Sequence, residues 1–405
     1  MNIRNNIEIV RLDHEARGIG YIEGKIVFVN NALPGELVDI NIIKETSKYY
    51  IGEVVNYIKQ SNKRINNKCP YYNLCGGCNL SHISYKDGID YKLEKFKNIL
   101  SKFASINNNI EVIENNNEYG YRNKVDLKIE DNKWGYYSSY THSFISIDKC
   151  LLVKDSINKV LENKELFNIK NGSIIIRSNY NDEILISINS DDEVNIDIDK
   201  LKSIVKLVGI LVNDKCIYGE KYFIEKYYNK YFKVNYNSFF QINEYITNKM
   251  LEIINTNSYG KTLLDLYCGV GFLGQCVSNN YDRIYGIEIN QDSILDAISN
   301  ANMNKIDNTY YLCGDSSKCI SKINDKIDTL LIDPPRTGLV KNMINDVINV
   351  DAKKIIYVSC NPISLARDLN SLKEYYNIEK VYLLDMFSNT YHFESISILG
   401  RINYE

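Results

Sequence analysis

The chain contains no apolar run long enough to cross a membrane, and its first residues, MNIRNNIEIV, lack the apolar core of a signal peptide. It also lacks an excess of basic residues, because 48 Lys and Arg are set against 51 Asp and Glu. These absences argue against a membrane protein, an exported protein and a strongly basic nucleic-acid-binding protein. We therefore expect a cytoplasmic protein in which any basic surface is local.

The charge balance does vary along the chain. Residues 61–103 carry eight Lys or Arg against three Asp or Glu, whereas residues 151–200 carry six against ten. With 405 residues, of which 44% are hydrophobic and 24% charged, the composition indicates a folded protein of two or three domains.

Short runs of alternating apolar and polar residues fill positions 7–58, broken by glycines and by Pro34-Gly35. This pattern predicts a small antiparallel β-barrel. Barrels of this kind often bind RNA on one face, although a purely structural role fits the pattern as well.

Ten cysteines in a chain without an export signal indicate metal ligation or catalysis rather than disulfides. Cys69, Cys75 and Cys78 stand close together in CPYYNLCGGC, directly after the expected barrel. Three close thiolates favour either zinc with a fourth ligand or an iron-sulfur cluster, and the double glycine mildly favours the cluster. Cys150 and His82 are both candidates for the fourth ligand.

Residues 81–103 have the period of an amphipathic helix, and short strands follow to about residue 235. Within this region, the segment 215–234 interleaves five Lys with aromatic residues, which suits either a groove for stacked bases or a two-stranded hairpin. From Lys261 onward, strands alternate with helices, which predicts a doubly wound parallel sheet. Ligands of such sheets bind beyond the carboxyl ends of the strands.

The first strand of this sheet runs into a glycine turn in LLDLYCGVGFLG, and the second strand ends at Glu288. Gly269 and Gly271 let a ligand approach the backbone, and an acidic side chain at the tip of the second strand is placed to accept ribose hydroxyls. Together the two features favour an adenosyl ligand. The spacing is not the six-residue dinucleotide fingerprint, so S-adenosylmethionine is preferred to a dinucleotide.

Asp333 leaves a later strand in LLIDPPRTGL, where two prolines stiffen the turn. A rigid loop explains this motif without any ligand. In adenosylmethionine enzymes that act on amino groups, a related motif holds the target base and continues with an aromatic residue. This chain has Arg336 there, which argues against methylation of an exocyclic amine.

Cys360 ends a strand in IIYVSCNPISLARDL, beside a helix N-terminus that is expected to favour the thiolate. A thiolate that adds to carbon 6 of uracil makes carbon 5 nucleophilic, so we predict a nucleophile rather than a buried structural cysteine. A base must then remove the carbon 5 proton. Glu394 in TYHFESISIL is the candidate, expected near the end of the last strand and tuned by burial.

In this order the motifs resemble those of the RNA (uracil-5-)-methyltransferases, and in particular the 23S ribosomal RNA branch that carries an N-terminal TRAM barrel and an iron-sulfur cluster. The resemblance runs through GIGYIEGKIVFVNNALPGE, CPYYNLCGGC, SFFQIN, DLYCGVG, IDPPRTGL, SCNPISLARDL and HFES. It covers nearly the whole chain and is weakest over residues 113–235.

The resemblance implies a multidomain α/β and β fold. Residues 1–60 would form the TRAM (OB-like) β-barrel, residues 61–235 a central α+β iron-sulfur domain, and residues 236–405 a Rossmann-like class I methyltransferase domain with a doubly wound sheet. The helix near residues 85–103 is then expected to pack on the catalytic domain.

The resemblance also implies the roles of single residues, among them Gln241, for which nothing else in the sequence gives a signal. It implies a 4Fe-4S cluster on Cys69, Cys75, Cys78 and Cys150, S-adenosylmethionine contacts from Gln241, Tyr267, Glu288 and Asp333, the nucleophile at Cys360 and the proton-abstracting base at Glu394. Phe272 is a departure, because relatives often carry a smaller or polar residue there.

The expected reaction is therefore methylation of carbon 5 of a uridine in 23S ribosomal RNA by a monomer that needs neither a protein partner nor a membrane. The cluster is expected to shape the RNA site without electron transfer. Three alternatives stay open: a tRNA-specific methyltransferase, whose branch is expected to lack the barrel and the cluster cysteines; an iron-sulfur redox or radical enzyme; and a non-catalytic RNA-binding protein.

Overall fold

A computed structural model describes residues 2–138 and 143–402. Residues 1, 139–142 and 403–405, which fall within the expected domain ranges, lie outside the described part. Among the helices of the two described ranges, none combines the length and the apolar character of a membrane span.

Six strands at the N-terminus form one sheet. Their bounds are β1 Ile3–Glu8, β2 Arg11–Leu12, β3 Gly18–Ile22, β4 Lys25–Asn30, β5 Leu37–Glu45 and β6 Tyr49–Lys59. The sheet closes into a barrel because β1 pairs with β5 at one edge while its continuation, β2, pairs with β3 at the other. Inward side chains such as Val27, Val29 and Ile40 fill the interior.

One strand pair corrects the expectation of a wholly antiparallel barrel. β4 and β6 pair in parallel, from Ile26 opposite Tyr49 to Asn30 opposite Glu53. The chain reverses twice between them, at the start and at the end of β5, so that β6 runs in the same direction as β4.

Two helices and a strand follow the barrel: α1 Tyr72–Cys75, α2 Tyr85–Ala104 and β7 Ile110–Ile113. Ser84 caps α2, because its Oγ accepts the Asp87 N–H at 3.1 Å. The apolar face of α2, with Phe96 and Leu100, packs into a core shared with the C-terminal sheet, and β7 joins the edge of that sheet.

The middle of the chain is built on a seven-stranded sheet. Its elements are β8 Lys124–Glu130, β9 Lys133–Tyr137, β10 Phe144–Ser146, α3 Asp155–Leu161, a 3₁₀ helix Lys164–Leu166, β11 Phe167–Asn168, β12 Gly172–Ser178, β13 Glu183–Asn189, β14 Asn195–Ile196, α4 Ile198–Ile204, β15 Lys206–Val212, β16 Lys215–Gly219, β17 Tyr222–Tyr227 and β18 Lys230–Asn235. The strand order is β10-β9-β8-β12-β13-β15-β16. The segment 215–234 thus supplies an edge strand and the antiparallel β17–β18 pair, in agreement with its interpretation as a hairpin.

The C-terminal part is an eight-stranded sheet between helices. Its elements are α5 Glu244–Asn257, β19 Thr262–Leu266, α6 Phe272–Cys276, a 3₁₀ helix Ser278–Asn280, β20 Arg283–Glu288, α7 Gln291–Met303, β21 Thr309–Cys313, α8 Ser316–Ile320, β22 Thr329–Ile332, α9 Lys341–Val350, β23 Lys354–Ser359, α10 Pro362–Leu372, β24 Tyr376–Leu384 and β25 Glu394–Arg401. The order is β21-β20-β19-β22-β23-β25-β24-β7, and β25 is antiparallel to both of its neighbours. Alternate residues of the buried strands enter two cores on opposite faces, as with Leu264 and Leu263.

Candidate active site

The predicted site residues gather at the carboxyl edge of the C-terminal sheet. β19, β20, β22 and β23 run parallel, and Tyr267, Glu288, Asp333 and Cys360 stand at or directly after their ends. The strands that follow β19, which are β20 and β21, lie on one side of it, and the strands that follow β22 lie on the other side of the sheet. Sheets of this kind bind ligands in the crevice where the order reverses, here between β19 and β22.

The turn after β19 has an unusual backbone. Tyr267 adopts φ +62°, a left-handed conformation that is costly for a bulky residue and is typical of ligand sites. A Cβ atom added to Gly269 would meet nothing within 4 Å, so the turn is open to a ligand there. At Gly271, by contrast, a Cβ atom would lie 2.6 Å from the Nε2 atom of Gln275, so the close packing of the turn requires glycine.

A cavity opens beside this turn and brings together three of the four predicted cofactor contacts. Gln241, Tyr267 and Asp333 line it, along with Gly269 and apolar residues that include Val270 and Leu273. A carboxylate and an amide beside an apolar wall suit a ligand that carries both cationic groups and a flat apolar ring. This donor set fits S-adenosylmethionine.

Glu288 is tied to the same turn from β20. Its Oε2 accepts the Gly269 N–H at 3.2 Å, and its Oε1 accepts the Asn290 N–H at 2.9 Å. Each carboxylate oxygen keeps a second lone pair, so the side chain retains acceptor capacity for hydroxyl groups.

Gln241 and Phe272 are held in position by contacts with residues outside the C-terminal sheet. Asn123 donates from Nδ2 to the Gln241 carbonyl at 3.0 Å, which fixes the segment between β18 and α5. The Phe272 ring lies 4.8 Å from that of Phe240 and 5.0 Å from that of Phe232. Phe272 is therefore a core residue as well as part of the cavity wall, which explains its size.

Cys360 and Glu394 lie side by side on neighbouring strands. Ser359 of β23 pairs with Ser395 of β25, and the next step of this antiparallel register sets Cys360 opposite Glu394. The sequence predicts Glu394 near the end of the final strand, but in the structure Glu394 is the first residue of that strand. Because β25 runs against the other strands, its beginning lies at the edge where they finish.

The structure corrects the expectation that the Cys360 thiolate is favoured. Burial, followed by the charge of Glu394, raises the pKa of the Cys360 thiol to about 11, although Arg336 acts in the opposite direction. Burial and the acidic neighbours therefore raise the pKa of the Cys360 thiol even though a helix N-terminus lies next to it. The thiol of the free protein therefore carries its proton at neutral pH.

The two carboxylates near Cys360 are also shifted. Burial raises the pKa of Glu394 well above its usual range, and Asp333 adds to this effect. Burial raises the pKa of Asp333 to about 7. Three groups that carry negative charge when ionised therefore share one partly dry site, in which Asp333 disfavours ionisation of both Glu394 and Cys360.

Arg336 is a site residue that sequence reasoning considered only as a departure from another motif. Its positive charge lowers the pKa of both Cys360 and Glu394 against the effect of burial. The Arg336 carbonyl accepts hydrogen bonds from Asn361 Nδ2 at 2.9 Å and from Ser364 Oγ at 3.1 Å. The two prolines before Arg336 and the Asn-Pro after Cys360 are the signals in the sequence for these paired turns.

The four cysteines of the predicted cluster surround α1 and the approach to α3. Burial, then the charges of Cys69 and Cys150, raises the pKa of Cys75, and burial raises that of Cys78 to about 12 with further contributions from the other three thiols. The thiols are thus close enough to influence one another. Within residues 2–138 and 143–402, however, no group of three or more Cys, His, Asp or Glu has the arrangement of a metal site.

Cys150 and His82, the two candidates for a fourth ligand, differ in their surroundings. The backbone N–H of Cys150 donates to Asn158 Oδ1 at 2.9 Å, and Asn158 Nδ2 donates to the Cys150 carbonyl at 3.0 Å. His82 is buried, with Nδ1 against the Tyr72 hydroxyl. Burial lowers the pKa of His82 to about 3, so the imidazole is neutral at physiological pH.

The sheet order, with its glycine turn, acidic second strand and antiparallel final strand, defines a class I methyltransferase fold preceded by a TRAM domain. The TRAM family model matches residues 5–55. The model described as tRNA (Uracil-5-)-methyltransferase matches residues 84–313 and 318–402. The chain belongs to this family and is an S-adenosylmethionine-dependent RNA (uracil-5-)-methyltransferase.

Similar proteins extend over the whole chain. An uncharacterized RNA methyltransferase of Clostridium tetani is 32% identical over 98% of this chain and 96% of its own length, and one of Staphylococcus aureus strain N315 is 29% identical over 97% of each. The crystal structure of Pyrococcus abyssi tRNA (uracil-54, C5)-methyltransferase in complex with S-adenosyl-L-homocysteine has a TM-score of 0.78 at 22% identity. That likeness covers 97% of this chain and 99% of the other.

The last comparison corrects one expectation. The sequence predicts that a barrel separates the ribosomal RNA branch from tRNA-specific enzymes. The Pyrococcus abyssi tRNA (uracil-54, C5)-methyltransferase shares the fold over nearly the entire length of both chains. The N-terminal barrel therefore does not distinguish the two kinds of substrate.

Proposed function

We propose that the chain methylates carbon 5 of a uridine in 23S ribosomal RNA, a cytoplasmic substrate, through a covalent intermediate on Cys360. The observation that carries this proposal is the adjacency of Cys360 and Glu394 across the β23–β25 pair, with Asp333 and Arg336 close enough to shift the pKa of both. A nucleophile and a strong base in contact with one site are what this reaction requires.

Gln241, Tyr267, Glu288 and Asp333 would hold S-adenosylmethionine, which supplies the methyl group when bound. The Cys360 thiol gives up its proton to water, and the thiolate sulfur bonds to carbon 6 of the uracil, so that the electron pair of the C5–C6 double bond becomes available at carbon 5. After carbon 5 has accepted the methyl group, Glu394 removes the carbon 5 proton. The C5–C6 double bond forms again, the C6–S bond breaks, and Cys360 leaves.

The raised pKa of Glu394 serves this last step. A carboxylate in a buried site binds a proton more tightly than one in water, and it is a correspondingly stronger base once ionised. Arg336 favours the ionised forms of both Cys360 and Glu394, so we assign it the role of limiting the penalty of burial.

A wide cleft suits the RNA. It is lined by residues of the barrel, of the cysteine-bearing segment and of the catalytic part, including Arg17, Arg122, Arg336, Tyr391 and His392. The rings of Tyr391 and His392 lie 4.1 Å apart. Guanidinium groups beside aromatic faces bind the phosphates and the stacked bases of single-stranded RNA, and a uridine turned out of its stack would reach the sheet edge.

We also propose that the ranges 1–60, 61–235 and 236–405 act as RNA-binding, cluster-bearing and catalytic parts, and that Cys69, Cys75, Cys78 and Cys150 hold a 4Fe-4S cluster. The mutual influence of the thiols supports their convergence. Gly77 lies beside the Cys75 sulfur, since a Cβ atom added to it would be 3.7 Å from Sγ. Metal ions would replace the thiol protons that burial retains.

Transfer RNA is the competing substrate, favoured by the description of the matching family model and by the full-length likeness to a tRNA enzyme. The test uses purified protein, S-adenosylmethionine with a labelled methyl group, and either 23S ribosomal RNA or bulk tRNA that lacks 5-methyluridine. Labelled 5-methyluridine in 23S RNA alone supports the proposal. Label in tRNA alone overturns the substrate, and no label in either RNA overturns the function.

A further inference from the structure

A buried ion pair lies outside the cofactor cavity and joins α2 to the residues that lead into Glu394. Lys92 Nζ donates to Asp385 Oδ1, and their side chains are 2% and 1% exposed. We propose that Lys92 and Asp385 are positioning residues for catalysis. They hold residues 385–393, termed the base-bearing segment, so that Glu394 lies beside Cys360. This inference rests on the proposed function.

The base-bearing segment has no strand or helix of its own and is held by groups from other parts of the chain. Four of its carbonyl groups accept hydrogen bonds of 3.0 to 3.1 Å from outside the segment. Lys92 donates to the Phe387 carbonyl, Tyr121 to the Ser388 carbonyl and Lys95 to the Tyr391 carbonyl. The backbone N–H groups of Asn79 and Leu80 both donate to the Asn389 carbonyl. Without these donors the four carbonyl groups would need other partners, and the segment could adopt another conformation.

Asp385 is the centre of this arrangement. Its Oδ2 accepts hydrogen bonds from the Tyr85 hydroxyl at 2.8 Å and the Ser388 hydroxyl at 2.6 Å. Asn115 Nδ2 in turn donates to Ser388 Oγ at 3.0 Å. A buried carboxylate that is fully paired permits only one arrangement of its donors, because any displacement leaves a charged oxygen unsatisfied.

The Lys92–Asp385 pair lies closer along the sheet to the proposed base, Glu394, than to the proposed nucleophile, Cys360. Asp385 directly follows Leu384, which is the register partner of Glu394 in β25, so the segment begins and ends at the same pair of residues. Cys360 is fixed independently by β23 and by the contacts of the following turn with the Arg336 carbonyl. Displacement of the segment should therefore slow removal of the carbon 5 proton more than addition of the thiolate.

The test measures formation and resolution of the covalent RNA adduct separately. A single substitution leaves an unpaired buried charge, so the central variant is the double replacement Lys92→Met with Asp385→Asn, which removes both charges. Protein, 23S RNA and S-adenosylmethionine are mixed, and adduct and 5-methyluridine are followed over time on denaturing gels and by nucleoside analysis. We expect formation near the wild-type rate and resolution about tenfold to hundredfold slower.

The matched control is Lys354→Met with Glu379→Gln, which removes an ion pair whose lysine begins β23, at the opposite end of that strand from Cys360. It should resolve the adduct at the wild-type rate even if its melting temperature falls equally. Resolution at the wild-type rate in the Lys92 and Asp385 double variant, or an equal loss in formation and resolution, overturns the inference.

Wild type and Glu394→Gln distinguish a failure of this inference from a failure of the proposed function on which it rests. Wild type must form 5-methyluridine and Glu394→Gln must trap the adduct; failure of either contradicts the proposed function instead.

If the central variant does not fold, Tyr85→Phe and Ser388→Ala decide the question, since each removes one hydrogen bond to Asp385 and keeps the ion pair. They should slow resolution in the same direction by a smaller factor, and unchanged resolution in both overturns the inference.

Discussion

Cys360 stands opposite Glu394 where β23 ends and β25 begins, one residue beyond the Ser359–Ser395 pair. The two side chains come from strands that run in opposite directions, so neither a βα turn nor a hairpin alone would bring them together. Burial and the nearby charge of Glu394 together raise the pKa of the thiol. Several measurable properties depend on this arrangement.

The reactivity of Cys360 should rise steeply with pH. Because burial and Glu394 raise the pKa of the thiol to about 11, the thiolate fraction should grow about tenfold per unit between pH 7 and pH 10. Alkylation by iodoacetamide, read at the Cys360 peptide by mass spectrometry, checks this. Arg336→Gln should slow labelling at pH 9 because it removes a charge that lowers the pKa; a rate that levels off below pH 9 contradicts the account.

Asp333→Asn should stabilise the fold at high pH. Burial raises the pKa of Asp333 from 3.8 to about 7, so the folded protein binds this proton more tightly than the unfolded chain. The resulting stability is complete below about pH 4 and is lost as the pH rises through 7. The variant should therefore match wild type in free energy of unfolding at pH 4 and exceed it by about 4 kcal/mol at pH 8.

Urea titrations at both pH values measure this difference, and the exposed Asp191→Asn is the control that should show none. Isothermal titration should show that Asp333→Asn binds S-adenosylmethionine at least about tenfold more weakly, because a cationic ligand loses its carboxylate. An equal loss of stability at both pH values would mean that Asp333 is not held in a dry site.

Replacement of Cys75 or Cys150 by serine should remove iron. Protein purified without oxygen is expected to contain about four iron ions per chain, and each variant less than one, because a cluster that loses one thiolate is released. Elemental analysis and visible absorption measure this. Cys216→Ser, at another partly buried cysteine, should keep the metal. Zinc in place of iron would show that the cluster assignment is wrong.

Phe272→Ala should cost about 3 to 5 kcal/mol of the free energy of unfolding, because the ring is buried against Tyr227, Phe232 and Phe240. Phe272→Leu keeps most of the volume and should cost less than half of this amount. Urea denaturation provides the measurement. A small effect of the alanine variant would contradict the core role and would favour a contact made only with the cofactor.

The sequence predicts well those parts of the site in which a strand runs directly into its turn. Tyr267, Glu288, Asp333 and Cys360 each follow a run of apolar residues, and that local order is enough to place them at one edge of the sheet. The conformation of a turn depends on a few neighbouring residues, so it is legible in the sequence.

Features that depend on distant contacts were not predicted. Lys92 and Asp385 are 293 positions apart, and nothing local marks either residue as one partner of a buried pair. The high pKa of Cys360 is a second example, since it follows from burial in the folded site and from Glu394 on a neighbouring strand. The direction of β25, which places Glu394 at the start of the strand, likewise follows from sheet pairing alone.

The most direct measurement of the central claim uses Glu394→Gln. The variant is incubated with 23S RNA and S-adenosylmethionine and digested with nuclease and protease, and the peptide that contains Cys360 is weighed by mass spectrometry. The account predicts a Cys360 peptide that carries a methylated uridine nucleotide and that is nearly absent from wild type. A variant that releases 5-methyluridine at the wild-type rate, or an adduct on a different cysteine, would contradict it.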